Sequence, residues 1–193
     1  PAQVNSFITI ASVSIQNVDE INKETIAASG QNIYASLDNL YIAQQIYPYY
    51  PLRIMSSEKS IEVKETTITH KFNLDNGKIK FIASGEVPGY ILNQFSMDEF
   101  NGNFRIATTT NMWVDNQKNN IYILDENMKI IGKLEDLAPG EKIYSARFIG
   151  ERAYLVTFKK TDPLFVIDLS NPLEPKVLGK LKIPGYSDYL HPY

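Results

Sequence analysis

"TDPLFVIDLSNPLEPKVLGKLKIPG" runs from Thr161 to Gly185, and its reading decides the fold. Two apolar runs, Leu164–Leu169 and Val177–Ile183, flank a turn built from Asn171-Pro172 and Glu174-Pro175. Proline presets φ and asparagine bonds its local backbone, so both punctuate turns. A Pro-Gly pair closes the second run. A weaker copy of that second half, "KIIGKLEDLAPG", stands upstream at Lys129 to Gly140. A motif that returns with its turn residues in place marks a repeat.

Outward from this stretch the chain is a series of short β-rich segments. "SFITIASVSI" (6–15), "KETIAAS" (23–29), "NIYASL" (32–37), "LYIAQQI" (40–46), "TTITHKFNL" (66–74) and "KIKFIASGEV" (78–87) fill the first half. The second half holds a strand over 94–100, "FRIATTT" (104–110), "NIYILD" (120–125), "KIIGKL" (129–134), "IYSARFI" (143–149), "AYLVTF" (153–158), "LFVIDL" (164–169) and "KVLGKLKI" (176–183). Turn residues bound nearly all of them: Asp75-Asn76-Gly77, Asn101-Gly102 and Gly150-Glu151. No helical periodicity is sustained, so the pattern predicts an antiparallel all-β fold. "IYIL", "AYLV" and "LFVI" lack in/out alternation, which predicts sheets covered on both faces.

Pro88-Gly89, Pro139-Gly140 and Pro184-Gly185 each follow a strand that begins with lysine: Lys80-Phe81-Ile82, Lys129-Ile130-Ile131-Gly132 and Lys176-Val177-Leu178-Gly179. Each precedes a segment with an aromatic, Phe95, Tyr144 or Tyr189, and Tyr34 is expected to hold the same place in an earlier copy. A period of roughly 40–50 residues with four strands per unit is the mark of a β-propeller blade. The units parse as a partial blade over 1–30, blades over 31–88, 89–137 and 138–184, and the start of another over 185–193. This predicts a single propeller fragment: a partial ring of about three whole four-stranded blades and two partial ones. The start at Pro1, without methionine, is read as an excised or processed terminus.

Composition narrows the functional classes. Of 193 residues, 44% are hydrophobic and 21% charged, which suits one globular domain with a real core. Net charge is -3 with no basic stripe, which argues against nucleic acid as a partner. Cysteine is absent, so disulfides and cysteine-ligated metals are excluded. No apolar run reaches the roughly 20 residues of a membrane span. Pro1-Ala2-Gln3-Val4 lacks the basic start and apolar stretch of a signal peptide.

Residues 140–193, with "GNFRIATTT" (102–110), "NIYILDENMKIIGKL" (120–134) and "NIYASLDNLYIA" (32–43), resemble a family of secreted archaeal and bacterial proteins. That family carries a C-terminal β-propeller domain distantly related to WD40 repeats. The resemblance covers most of the chain and is weakest over 47–65. It implies an extracellular or cell-surface location and a protein that continues past Tyr193. It assigns no catalytic residue.

The residues themselves offer little chemistry. His70 lies mid-strand and reads as an ordinary strand residue. His191, in "YLHP", is a candidate for the central channel, where propellers often hold ligands. Asp and Asn at 74–78, 124–129 and 167–171 lack the spacing of a calcium loop and suit turns instead. No nucleophile elbow, phosphate loop or dinucleotide fingerprint appears, so neither a cofactor nor a metal is assigned. Asp98-Glu99 pairs two acids without showing their separation in space.

The remaining candidate is a surface. In a four-stranded blade, the loop into the first strand and the loop between strands two and three share one face of the ring. That face is expected to gather Tyr47, Tyr49, Tyr50, Tyr90, Trp113 and Tyr186, aromatic types suited to interfaces. The expected function is therefore a non-catalytic binding or scaffold module recognising a protein, peptide or surface glycan. The alternatives are a polysaccharide-acting enzyme with a channel site, or a structural spacer. Open blade edges also predict self-association.

Overall fold

The structure, a computed structural model, describes residues 6–15, 20–47, 65–112, 116–158, 162–183 and 190. Its elements in chain order are β1 (Ile8–Val13), β2 (Ile21–Ile26), β3 (Asn32–Ala35), β4 (Asn39–Ile46), β5 (Thr66–Asp75), β6 (Lys78–Pro88), β7 (Met97–Phe100) and β8 (Asn103–Thr110). They continue with β9 (Lys118–Leu124), β10 (Ile130–Leu137), β11 (Lys142–Ile149), β12 (Arg152–Phe158), β13 (Asp162–Asp168) and β14 (Lys176–Ile183). Three four-stranded antiparallel meanders result, β3-β4-β5-β6, β7-β8-β9-β10 and β11-β12-β13-β14, beside a separate pair β1-β2. They are called blades one, two and three below.

The turns that close these meanders follow local chemistry. Asn76-Gly77 joins β5 to β6 and Asn101-Gly102 joins β7 to β8, and all four residues take positive φ. Two-residue hairpin turns need that conformation to match the right-handed strand twist, and Asn-Gly tolerates it best. In the turns after β9 and β13 an aspartate caps the chain. The Asp125 carboxylate accepts from the amides of Asn127 and Lys129, and the Asp168 carboxylate accepts from that of Ser170.

The apolar runs resolve into two interleaved faces. Ile121, Tyr122, Ile123 and Leu124 of β9 are all at most 2% exposed. Ile121 and Ile123 join Ala146, Leu155, Phe165 and Ile167 of blade three. Tyr122 and Leu124 join Tyr41, Ala43 and Val87 of blade one. Successive side chains on a strand point to opposite faces, so one run serves two neighbours. A third cluster sets Ile42, Phe72 and Ile79 of blade one against Ile8, Ile10 and Ile26 of the β1-β2 pair. Burial of one such side chain contributes about 1.5–3 kcal/mol, so the core lies between sheets that no blade could cover alone.

The aromatic register differs from expectation. Tyr34 pairs with Tyr41, Asp98 with Arg105 and Arg147 with Tyr154, which makes Tyr34, Asp98 and Arg147 the equivalent positions on the three first strands. Phe95 lies in a 3-10 turn over Gln94–Ser96 ahead of β7, so the strand expected over 94–100 begins only at Met97. The Asn93 side chain accepts the Phe95 amide at 3.0 Å and starts that turn. Tyr144 sits at a register shift in β11. Tyr189 lies outside the described residues.

Candidate functional site

The loop face is built on the recurrent Pro-Gly pairs. Gly89 and Gly140 both adopt positive φ, 87° and 80°. The Gly89 amide donates to the Glu65 carbonyl, and the Gly140 amide to the Gln117 carbonyl, each at 2.8 Å. Glu65 and Gln117 each precede the third strand of a blade, so the same contact recurs where one blade passes into the next. Gly89 also permits a close approach, because a Cβ there would lie 2.7 Å from the Thr109 carbonyl oxygen. Tyr90 then pairs with Thr109, each amide donating to the other's carbonyl at 2.9 Å.

That framework positions an aromatic pair. Tyr90 is buried, and its hydroxyl donates to the Ile46 carbonyl at 3.0 Å. The Tyr47 ring rests on it with centroids 5.1 Å apart, and Tyr47 stays 53% exposed. The Tyr47 hydroxyl donates to Gln45 Oε1 at 2.8 Å, while Gln45 Nε2 donates to the Ile91 carbonyl at 2.9 Å. Beside the pair, the Glu65 carboxylate accepts the Met112 amide, 3.1 Å from one oxygen and 3.2 Å from the other. Of the predicted aromatic cluster, Tyr47 and Tyr90 are thus brought together, one exposed and one as its support. Tyr49, Tyr50, Trp113, Tyr186 and His191 lie outside the described residues.

A second arrangement, on the first strands, escaped the sequence reading. Tyr34, Asp98 and Arg147 line a groove of about 300 Å³ together with Phe95 and Phe148. The Arg147 guanidinium lies over the Phe95 ring, 3.5 Å from its centroid. Asp98 pairs with the buried Arg105, whose Nη1 also donates to the Gly150 carbonyl of blade three at 2.6 Å. Burial raises the Asp98 pKa above the ordinary carboxylate value, with Arg105 opposing the rise. Glu99 faces the other way and accepts from Ser36 Oγ at 2.6 Å and Asn39 Nδ2 at 3.0 Å, both in blade one. The adjacent acids therefore clamp blade two to both neighbours. Tyr41 lies buried beside Glu99, its hydroxyl outside hydrogen-bond geometry and its pKa held far above the phenol range by burial and that carboxylate. Only pairing in space shows these roles. The one sequence signal was the Asp98-Glu99 pair itself.

His70 is a strand residue whose Nδ1 lies 2.7 Å from Ser84 Oγ. Among the described residues, no three His, Asp or Glu side chains gather as a metal site would need. No described helix is long and apolar enough to cross a membrane.

A family model for the β-propeller domain matches residues 1–193. The chain is 56% identical to an uncharacterized protein of Methanocaldococcus jannaschii over 137 residues, 70% of this chain and 22% of that protein. It is 47% identical to an uncharacterized protein of Archaeoglobus fulgidus over 130 residues, 67% of this chain and 20% of that protein. The chain thus spans only 20–22% of the length of these curated relatives. Stacked four-stranded meanders and a match over the whole chain lead to one assignment: the chain belongs to the β-propeller domain family.

Proposed function

We propose that this β-propeller is a non-catalytic binding or scaffold module of an exported or cell-surface protein, recognising a protein, peptide or glycan through the face that carries Tyr47. The observation that supports the reading is an exposed ring held on a buried one. Tyr47 keeps half its surface open while Tyr90 and Gln45 fix its position. A ring already ordered loses little entropy when a partner docks. Tyrosine suits such a role because one residue brings apolar area and a polar tip. The engagement of Asp98 by Arg105, and of Glu99 by Ser36 and Asn39, favours binding over catalysis by that pair.

The test is binding of the purified protein to peptide and glycan arrays, wild type against Tyr47→Ala. Truncating a central aromatic anchor costs about 2 kcal/mol, roughly thirty-fold in affinity. The expected outcome is that loss with an unchanged melting temperature. Unfolding by Tyr47→Ala would make the ring a packing residue. Undiminished binding would move the site to another face, and a wild type without any ligand would favour the spacer reading.

A further inference from the structure

The motif that repeats between Lys129 and Lys176 carries a glycine, and its neighbours differ in the two copies. Gly132 pairs with Ile123 and Gly179 with Val166, so the two glycines hold the same place on the fourth strands β10 and β14. A Cβ at Gly132 would lie 1.9 Å from the Pro172 carbonyl oxygen, in the turn between β13 and β14 of the next blade. Only glycine leaves room there. On β6 of blade one, Gly85 plays the same part farther along the strand. A Cβ at Gly85 would lie 2.5 Å from the Met128 carbonyl oxygen, in the turn between β9 and β10 of blade two. In both cases the fourth strand of one blade receives a main-chain carbonyl from the turn between the third and fourth strands of the next.

At Gly179 nothing described lies within 4 Å. The surface around it is the counterpart of one that is covered in blade two. Leu164 and Leu181 are paired, as Ile121 and Leu134 are. Ile121 and Ile123 are buried against blade three, whereas Leu164 and Val166 are half-buried and Leu181 is 60% exposed. Tyr154 lies on the same open face, opposite Val166. A glycine notch within an apolar face is shaped for a backbone and not for a small ligand. A strand interior gains nothing from glycine unless another chain approaches closely. Blades one and two show which kind of chain approaches.

We propose that the notch at Gly179 and the apolar face of Tyr154, Leu164, Val166 and Leu181 receive a further blade of the same polypeptide. The turn between that blade's third and fourth strands lays a carbonyl on Gly179, as Pro172 does on Gly132. The length of the relatives, about five times the stretch matched here, leaves ample chain to supply it.

The test uses the full-length polypeptide and its thermal unfolding. Gly179→Val is compared with Gly132→Val, whose notch is filled. A valine is strand-compatible at both places, so a destabilisation reports the neighbour and not the strand. The expected result is a melting temperature lowered by several degrees in both variants. Should Gly132→Val be destabilised while Gly179→Val melts with the wild type, the notch is empty and the proposal falls. If either valine variant fails to fold, Gly179→Ala and Gly132→Ala repeat the comparison with a smaller intrusion. Sedimentation separates the remaining occupant. If the Gly179 variant dissociates an oligomer that the wild type forms, a second copy fills the notch and the proposal of a further blade is overturned.

Discussion

Arg105 in blade two and Tyr154 in blade three hold the same place on their second strands, each one step from the paired first strand. Around Arg105 every direction is occupied: Asp98 on its own blade, the Gly150 carbonyl of the next, and the rings of Phe100 and Phe148. Tyr154 is half-buried on an open face. Ile123 and Val166 repeat the contrast one strand farther out. Equal register with unequal surroundings teaches that a blade's stability is not its own. Four strands supply hydrogen bonds, but the apolar area is buried only by neighbours, as in other stacked-repeat architectures.

The largest effect should come from breaking the enclosed pair. Arg105→Met leaves the Asp98 carboxylate inside without its partner and is expected to cost about 3–5 kcal/mol. Tyr154→Met, its counterpart, is expected to cost about 1 kcal/mol or less in this chain. Urea denaturation of both variants measures the difference, and equal losses would end the comparison. Next in size is the core of the sandwiched blade. Ile123→Ala should lose about 2–5 kcal/mol through the cavity it leaves. Val166→Ala, half-buried, should lose about 1 kcal/mol, because less apolar area returns to water. Similar values for the two would show that the open face is as well covered as the closed one.

A third comparison concerns the clamp between blades one and two. Glu99→Ala strands the Asn39 amide and the Ser36 hydroxyl, at about 1–3 kcal/mol. Hydrogen exchange should then rise in β3 and β7 before it rises in β11–β14. A uniform rise across all three blades would contradict a local clamp.

The smallest effect is one of pH. Burial lowers the His70 pKa below its ordinary value near 6.5. The neutral ring is therefore favoured in the folded state. Its stabilisation is present above the ordinary value and is lost as pH falls through the folded value. Replacing it, His70→Gln, should flatten that part of the stability profile. An unchanged profile would assign the slope to other groups.

Much of this architecture was legible because strand and turn signals are local. Asn76-Gly77 and Asn101-Gly102 specify hairpins by their own conformational freedom, and apolar runs such as Ile121–Leu124 announce two covered faces. Phe95 was misplaced because a capping asparagine at Asn93 outweighs the β preference of the residues after it. The aromatic face was half legible: Tyr47 and Tyr90 do meet, but which ring is exposed depends on the Ile46 carbonyl, which accepts the buried hydroxyl. Asp98-Glu99 could be read as a pair, yet nothing in their order says that one faces Arg105 and the other Asn39.

The sequence by itself determined the repeat, the meander of each blade and the turns, since these follow from the side chains and backbone of neighbouring residues. Tertiary structure alone decided what the repeated glycine does. At Gly132 a carbonyl forty residues away occupies the space a side chain would need, and at Gly179 the same residue in the same register meets open space. Close approach between blades is a relation between distant segments, and a single letter in the chain carries no record of which neighbour it awaits.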